Sequence, residues 1–451
     1  MLANPRVMAA AYASFAVFAG LTVLVSTEPI HRLWGTWAVC GYGLAALITL
    51  AWRARGAMAA LGVSIAGAVI GPLGQLAATG RNLPEVSVIE RAAALLLQHG
   101  TPYLSAAQQA GGGYSRYNPY LPAMTVFGLP HALFGSGLLT DPRVWAGAAF
   151  IGLCSAAFQV SGLRGAGLRG AGLRGTGLSG TGLSGTGPRR AMHRTAFLVA
   201  TPLIAFPLAV SGNDLPVLGL LCLGFSYAGR PDPDARASAA AGTYGAGASG
   251  AGASGAGTNS GSPVMAGILL GLAAAMKATA WPALPVACAL LAVRYGPRAA
   301  ARFAVAAGTV FAAVLAPWAI TAPAALLRNT VLFPLGLSGV RSPAASPLPG
   351  HLLAAAGHPG HVIAIALLAG AGLAVAGSLL LRPPATLAAA CRVLAVGLTL
   401  MFALAPASRW GYFVYPAGLL GWLWLSGHVP AARAAWSAEG DDVRGPATMV
   451  R

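Results

Sequence analysis

The sequence predicts an all-α protein, a polytopic bundle of about 10–12 transmembrane helices. Hydrophobic residues make up 56% of the 451 residues and charged residues only 8%, a balance that no ordinary soluble surface tolerates. Apolar runs of about 17–25 residues recur along the chain, the length that carries a helix across about 30 Å of hydrocarbon. We therefore expect a multi-pass protein of the cell membrane.

The apolar runs divide the chain into four parts. Residues 1–78 hold the first transmembrane helices, and residues 79–119 form a loop with an amphipathic helix. Residues 120–426 form the transmembrane core, and residues 427–451 form a polar tail. A further apolar run, 120–136, leaves open whether it crosses the membrane. The candidate spans are residues 7–26, 36–52, 57–78, 144–161, 195–210, 213–229, 264–293, 299–320, 361–381, 387–405 and 409–426.

The net charge of +18 comes almost wholly from arginine, and it predicts orientation in the membrane rather than a nucleic-acid partner. Basic residues of membrane proteins collect in cytoplasmic loops. Arg6 precedes the first predicted helix, and Arg53 and Arg55 follow the second, so we expect the N-terminus and this loop in the cytoplasm. Three crossings then place the loop of residues 79–119 on the outer face.

Two glycine-rich segments predict flexible insertions in the core, at 162–190 and 230–262. The first contains "GLRGAGLRGAGLRGTGLSGTGLSGTG", whose period of five differs from the period of three in collagen. Neither segment can bury enough apolar surface to offset the entropy lost on ordering. Arginines in and after the first repeat favour a cytoplasmic loop, which requires an odd number of crossings between residues 120 and 161. These arginines are Arg164, Arg169, Arg174, Arg189, Arg190 and Arg194.

The sequence predicts neither a metal site nor a cofactor. The 5 cysteines and 8 histidines lack the spacing of paired ligands. There is no Gly-x-x-x-x-Gly-Lys-Ser/Thr loop to hold nucleotide phosphates. The Asp-Pro-Asp of residues 232–234 lies in the second insertion, where we expect it to be solvated.

Carboxylates are scarce, yet Glu85 and Glu90 stand close together in "PEVSVIERAAALLLQHGTPYL", residues 84–104. In a helix, Glu85 shares one apolar side with residues at positions i+4, i+7 and i+11, whereas Glu90 flanks that side and has a solvated place. This pattern predicts that Glu85 faces protein or membrane surface. Alternatively, Pro84 marks a first helical turn, where the helix dipole alone favours an acid. The apolar side of the helix carries Ile89, Ala92 and Leu96.

Further motifs follow this acid and its amphipathic helix in a recognisable order. They are "HGTPYL" (99–104), "YNPYLPAMTVFGLP" (117–130), "SGNDLPVLGLL" (211–221) and "GILLGLAAAMKATAWPALPVA" (267–287). Across residues 80–425, this order resembles the membrane glycosyltransferases of family 87 in the GT-C superfamily. That family includes polyprenol-phosphate-mannose-dependent mannosyltransferases of actinobacteria. Its acid is usually aspartate, where this chain has Glu85.

The resemblance implies a GT-C-like bundle that takes a sugar, mannose in the named relatives, from a polyprenol-phosphate donor. The sugar is transferred with inversion to a lipid or glycan acceptor at the outer face, with membrane lipids as further partners. Glu85 is the expected general base, and the donor phosphate calls for positive charge or oriented hydrogen-bond donors. The expected substrate-binding residues are Tyr103, Tyr117, Asn118, Asp214, Lys277, Arg341, His351 and Arg409.

Several of these residues have a second interpretation. Lys277 is the only lysine of the chain, and an intramembrane cation is a functional-site candidate. Alternatively, it reaches for the interface or pairs structurally with Asp214. Arg341 and His351 lie on a Pro/Ser-rich loop suited to a lid over a lipid phosphate. Arg409 stands among aromatic residues, which also suits an interfacial aromatic belt.

The sequence leaves three functions open: a glycosyltransferase, a membrane transporter or flippase, and a non-catalytic membrane protein of the same fold. A transporter predicts charges in several helices and often an internal repeat. The chain shows such charges only as Lys277 and Asp214. Glutamate in place of the family's aspartate is the feature that favours a non-catalytic protein.

Overall fold

The computed structural model describes residues 4–171, 186–230 and 262–428. Within these ranges the chain is helical, and the one strand-like pairing there is an isolated bridge between Ala345 and Ser408. Eight helices in the described ranges are long and apolar enough to cross a membrane. The protein is therefore an all-α, multi-pass membrane protein, as the composition predicted.

The N-terminal part consists of three spans that pack closely. Asn4 caps the first helix by accepting a hydrogen bond from the backbone N–H of Arg6 at 3.0 Å. The second and third spans approach at two glycines, where a Cβ on Gly41 would lie 2.7 Å from the Cα of Gly67. A π-helical turn, Ala66–Ile70, interrupts the third span. The helices are α1 Pro5–Val25, α2 Pro29–Trp52, α3 Ala57–Ile65 and α4 Gly71–Ala78.

The amphipathic helix predicted after residue 83 is observed as α5, Pro84–His99. Pro84 stands in its first turn, and Gly100 ends it in the left-handed conformation with φ of 69°. The apolar run 120–136 does not form a helix long enough to cross the membrane. It forms a 3₁₀ turn, Pro122–Gly128, and one short helix. The short helices of this part are α6 Ala106–Gln109 and α7 Leu129–Phe134.

Helix α8, Pro142–Ala171, is the one described helix between residues 120 and 161 that can cross, so the number of crossings there is odd. The predicted insertion 162–190 differs from the structure at both ends, because α8 continues through its first residues and the next helix begins at Thr186. Continued N–H to C=O pairing along the helix offsets the low propensity of glycine. Residues 172–185 of this insertion lie outside the described residues. So do most of the predicted segments 230–262, with its Asp-Pro-Asp at 232–234, and 427–451.

The predicted span 195–210 is a pair of helices bent by 74° at Thr201. The Tyr42 hydroxyl donates to the carbonyl oxygen of Ala200 at this bend, at 2.8 Å, and so joins the N-terminal part to the core. The next helix has 14 residues, about 21 Å, and is buried on nearly every side. A helix that is apolar all round is one enclosed by protein. The helices are α9 Thr186–Ala200, α10 Pro202–Val210 and α11 Leu215–Ala228.

The predicted span 264–293 is broken at Lys277, whose backbone is extended, with φ of −155° and ψ of 135°. The helix before the break packs tightly on the later span Pro297–Thr321. A Cβ on Gly271 would lie 2.6 Å from the carbonyl oxygen of Ala307, so glycine is required at this contact. The helices are α12 Ser262–Met276, α13 Ala283–Tyr295, α14 Pro297–Thr321 and α15 Pro323–Leu327.

The C-terminal part holds two long spans and a short final helix. The predicted span 409–426 consists of a 3₁₀ turn, Trp410–Phe413, and a helix of 12 residues, about 18 Å long. Before it, the bridge between Ala345 and Ser408 ties two loops together. The helices are α16 Pro349–Ala355, α17 His358–Leu381, α18 Leu387–Leu404 and α19 Val414–Leu425.

The described residues thus contain eight candidate spans, or nine when the bent pair is counted as one span. The sequence predicted about 10–12 segments. The difference arises because α11, α12 and α19 are apolar but shorter than the hydrocarbon thickness. Hydropathy measures their apolar content, whereas their ends are determined by polar contacts inside the bundle.

Labelling in intact cells tests the orientation predicted from Arg6, Arg53 and Arg55. In a cysteine-free background, we expect Gln98→Cys to react with a membrane-impermeant maleimide, because the arginine distribution predicts that residues 79–119 lie outside. Arg55→Cys should react only after the membrane is permeabilised. Both positions are exposed in the structure, so accessibility within the protein is not limiting. Labelling of Arg55→Cys but not of Gln98→Cys in intact cells would show that the orientation is the reverse of the predicted one.

Candidate functional site

Glu85 lies in the first turn of α5, with its side chain 18% exposed. Its Oε1 accepts a hydrogen bond from Nη1 of Arg409 and forms an ion pair with it. Its Oε2 is buried and has no hydrogen-bond partner among the described residues. A buried carboxylate oxygen without a partner is costly, and a catalytic role or a bound water or ion is among the explanations for such an atom. One oxygen of Glu85 is therefore held by Arg409, and the other makes no hydrogen bond to the described residues.

Arg409 is held in place by the backbone around it. The N–H of Ser346 donates to the carbonyl oxygen of Ser408 at 3.0 Å, and the N–H of Ser408 donates to that of Ala344 at 2.9 Å. The N–H of Trp410 donates to the Ser346 hydroxyl at 3.2 Å. These bonds attach the segment carrying Arg409 to the loop before α16. Arg409 is thereby positioned over the first turn of α5.

Lys277 lies at the break between α12 and α13, where it is 7% exposed. Its Nζ donates to Oδ1 of Asp214, the residue that precedes α11, and the two form a buried ion pair. The Tyr415 hydroxyl donates to the same oxygen at 2.7 Å. The carbonyl oxygen of Met276, freed by the break, accepts from the N–H of Leu121 at 3.0 Å. The break is thus stabilised by polar contacts, as buried irregular backbone in a membrane bundle requires.

Three tyrosine rings surround the Lys277 ammonium. Its Nζ lies 4.7 Å from the centre of the Tyr412 ring, 5.4 Å from that of Tyr120 and 6.0 Å from that of Tyr415. At these distances the ring faces attract the cation, and the burial strengthens the attraction. Asn213 donates to the Tyr120 hydroxyl and leaves its own Oδ1 buried without a partner among the described residues.

The Glu85–Arg409 pair and the Lys277–Asp214 pair belong to one electrostatic group. The charge of Glu85 acts on Lys277, and the charges of both pairs act on Tyr412. The group combines two cations and two acids in a partly enclosed place between α5, the helix break and the start of α19. Such a place can bind an anion and accept a proton close to it.

The structure brings together four of the residues predicted from sequence: Glu85, Asp214, Lys277 and Arg409. Of the roles considered for Lys277, pairing with Asp214 is observed. The aromatic residues beside Arg409 do not form only a peripheral belt, because the rings of Tyr412 and Tyr415 face the Lys277 ammonium.

The predicted residues of the loop before residue 120 hold the loop together. The Tyr103 hydroxyl donates to the carbonyl oxygen of Tyr120 at 3.0 Å. The Tyr117 ring stacks on that of Phe333 with centres 4.6 Å apart. Asn118 is buried, donates to the Pro102 carbonyl oxygen at 3.1 Å and accepts from the N–H of Tyr120 at the same distance. These contacts direct Tyr120 toward Lys277, and direct substrate contact by the three residues stays a prediction.

The two predicted lid residues lie apart from these pairs. Arg341 is exposed and makes no hydrogen bond or ion pair with the described residues. The Nδ1 of His351 lies 3.1 Å from the carbonyl oxygen of Pro406, a distance that suits donation by an Nδ1–H tautomer. That contact joins α16 to the segment before Arg409. Their role over a lipid phosphate stays a prediction.

Glu90 differs from its prediction as a solvated surface residue. Its side chain is only 17% exposed, because α7 covers this side of α5. Its Oε1 lies 3.6 Å from the Nδ1 of His131, and its Oε2 accepts from the Asn82 amide at 3.3 Å. Burial raises the pKa of Glu90, and the neighbouring His131 opposes that rise. The two acids of α5 are therefore equally enclosed, each in a separate polar contact.

Sequence reasoning missed three residues of the site. Tyr120 is the second tyrosine of "YNPYLP". Substrate binding was predicted for the first tyrosine, Tyr117, instead. Asn213 stands next to Asp214 and was not considered, although its amide joins Tyr120 to α11. Tyr412 is one of the aromatic residues beside Arg409, and its position near the end of a span also suited an interfacial belt.

In the described part of the chain, no group of three or more His, Cys, Asp or Glu side chains is placed to hold a metal ion. The polar groups of the site are two ion pairs and tyrosine hydroxyls. No family model matches the chain, and neither a curated protein nor a solved structure matches it.

Proposed function

We propose that the protein is a GT-C-type glycosyltransferase of the cell membrane that uses a polyprenol-phosphate sugar as donor. The resemblance of its motifs to family 87 suggests mannose as the sugar and a lipid or glycan as the acceptor at the outer face. The observation that supports this proposal best is the Glu85 carboxylate. Arg409 holds one of its oxygens, and the other is buried without a partner among the described residues.

The chemistry of transfer requires one base and positive charge. The acceptor hydroxyl gives its proton to Oε2 of Glu85 while its oxygen attacks the anomeric carbon from the face opposite the phosphate. The bond from that carbon to the phosphate oxygen breaks, and its electron pair stays on the phosphate, so the configuration inverts. Arg409 uses only Nη1 in hydrogen bonds to the described residues, and its other N–H groups can bind the leaving phosphate.

An assay of sugar transfer tests the proposal. Membranes from cells that express the protein are supplied with radiolabelled polyprenyl-phosphate mannose and compared with membranes that lack the protein. We expect label in a lipid or glycan product with inverted anomeric configuration, and no transfer directly from GDP-mannose. Equal incorporation in both membranes would contradict the proposal. Retained donor binding without transfer would favour a non-catalytic protein of the same fold.

A transporter or flippase is the second candidate, and one observation favours it. The Lys277–Asp214 pair lies at a break between two short helices, an arrangement that transporters use for substrate and ion sites. Proteoliposomes separate the two functions. A flippase moves a fluorescent lipid-linked sugar across the bilayer without changing it chemically, whereas a transferase consumes the donor without moving it.

A further inference from the structure

A cavity of about 650 Å³ lies at the end of α5 that is far from Glu85. Its walls are the last turns of α5, the segment that follows that helix, and the junction between α14 and α15. Polar groups of Thr101, Ser105 and Gln108 line one side. Small apolar residues of the α14–α15 junction and of α15, such as Ala322 and Ala325, line the other. The cavity is thus amphipathic.

Arg328 supplies the strongest charge of the cavity. Within the described part of the chain, no aspartate or glutamate lines it, and His99 is the other basic residue there. Nη1 of Arg328 donates to Oε1 of Gln109 at 3.3 Å. The Gln109 amide in turn donates to the buried Asn329 at 3.0 Å. One N–H of the guanidinium is therefore held by Gln109. Its remaining N–H groups make no hydrogen bond to the described residues.

Arg328 also lies in an unusual backbone turn. It begins the π-helical segment Arg328–Leu332, and Asn329 within that segment is fully buried. A π-helical turn is rare in proteins and is frequently found at functional sites. Here the turn places the Arg328 side chain at the cavity, and the next residue, Asn329, accepts the hydrogen bond from the Gln109 amide.

The position of the cavity indicates the depth of its ligand. It adjoins Thr321, the last residue of the membrane-spanning helix α14, so it lies at the level where a span ends. Trp318, one turn earlier, donates from its indole N–H to the Gly100 carbonyl oxygen at 3.2 Å, as interfacial tryptophans do. Next to lining residues, Ile320 is 79% exposed and Leu327 is 51% exposed. Apolar surface beside the cavity can therefore hold a lipid tail.

We infer that this cavity binds the phosphate headgroup of a membrane amphiphile, with Arg328 on the phosphate and the α14–α15 wall beside the tail. A phosphate at a membrane surface is the anion that an acid-free, arginine-bearing cavity favours. Leu95, the lining residue of α5 nearest to Glu85 in sequence, is about 15 Å from it along the helix. Reacting atoms must come within about 3.5 Å, so this phosphate is a second one, beyond the leaving phosphate of the proposed reaction.

Binding of farnesyl phosphate to the purified full chain in detergent tests the inference, with tryptophan fluorescence and native mass spectrometry as readouts. Farnesol lacks the phosphate, inorganic phosphate lacks the tail, and dioleoylphosphatidylglycerol represents a glycerophospholipid source. We expect Arg328→Gln to weaken farnesyl phosphate binding about tenfold or more, through loss of a charge-assisted contact. Arg298→Gln removes an exposed arginine near the opposite end of α14 and should bind like the unchanged chain.

A second variant guards against a folding defect in Arg328→Gln. Ala324→Trp fills the cavity from an exposed wall position, and it should remove the same part of farnesyl phosphate binding that depends on Arg328, while the melting temperature is kept. Stronger binding of dioleoylphosphatidylglycerol than of farnesyl phosphate supports the site and identifies the glycerophospholipid source. Equal binding of farnesol, equal binding of inorganic phosphate, or unchanged binding by Arg328→Gln would each overturn the inference. None of these readouts depends on sugar transfer, so they remain valid if the proposed function fails.

Discussion

Glu85→Gln is expected to lower the rate of sugar transfer by about 10²–10⁴-fold, the contribution of a general base. The amide of glutamine cannot take the proton of the acceptor hydroxyl. Its oxygen can still accept the hydrogen bond from Arg409, so the fold and the donor affinity should be kept. Transfer from labelled polyprenyl-phosphate mannose and donor binding, measured on the same purified variant, separate the loss of chemistry from the loss of binding.

Glu90→Gln is the matched control for this substitution. It makes the same chemical change on the same helix, at a side chain that is 17% exposed against 18% for Glu85. Both positions lose a partly buried charge, so a general effect of removing charge from α5 would appear in both variants. We expect Glu90→Gln to transfer sugar within a few-fold of the unchanged protein, because Glu90 contacts His131 and Asn82 instead of Arg409.

Glu85→Asp tests whether the length of the side chain that carries the carboxylate matters for transfer. Aspartate is usual in the family that the sequence resembles, and it keeps the carboxylate but is one methylene shorter. We expect partial activity, between that of the unchanged protein and that of Glu85→Gln, because the reach to the acceptor changes while the chemistry is kept. Near-normal transfer by Glu85→Gln, or an inactive Glu90→Gln beside an active Glu85→Gln, would refute the assignment.

Local signals explain why α5 was predictable from sequence. Pro84 is favoured in a first turn, and Gly100 takes the left-handed conformation that ends the helix. The apolar spacing correctly predicted that Ile89 and Ala92 are buried. The side of Glu90 was mispredicted because its cover, α7, comes from the run at 120–136, for which spacing within α5 holds no information.

The contacts between residues of the site could not be predicted from local sequence patterns. Glu85 and Arg409 are 324 positions apart, and no periodicity relates them. Their contact depends on the backbone pairing of Ser346 with Ser408, between two loops that look equally irregular in sequence. Lys277 was recognisable as a costly intramembrane charge, but the helix break around it was not, since "LAAAMKATAW" has the composition of a continuous helix.

The buried Lys277–Asp214 pair predicts a large effect on stability. Replacing Lys277 by methionine should lower the free energy of unfolding by about 3–5 kcal/mol, because Asp214 is left buried without its cation. Equilibrium unfolding in mixed micelles, followed by tryptophan fluorescence, measures the change. Arg382→Met, which removes an exposed cation at the end of α17, is the control and should change stability by about 0.5 kcal/mol or less.

The double variant Lys277→Met with Asp214→Leu separates the structural role of the lysine from a role in substrate binding. With both charges removed, no unpaired ion remains in the interior, so most of the stability lost in Lys277→Met should return. If the lysine also attracts the donor phosphate, this restored protein still transfers sugar slowly and binds donor weakly. We expect that combination, because the Glu85 charge already acts on Lys277 and an anion bound beside Arg409 would do the same. A double variant with restored stability and normal transfer would show that the pair serves only the fold, and a Lys277→Met variant as stable as the unchanged protein would contradict the pairing itself.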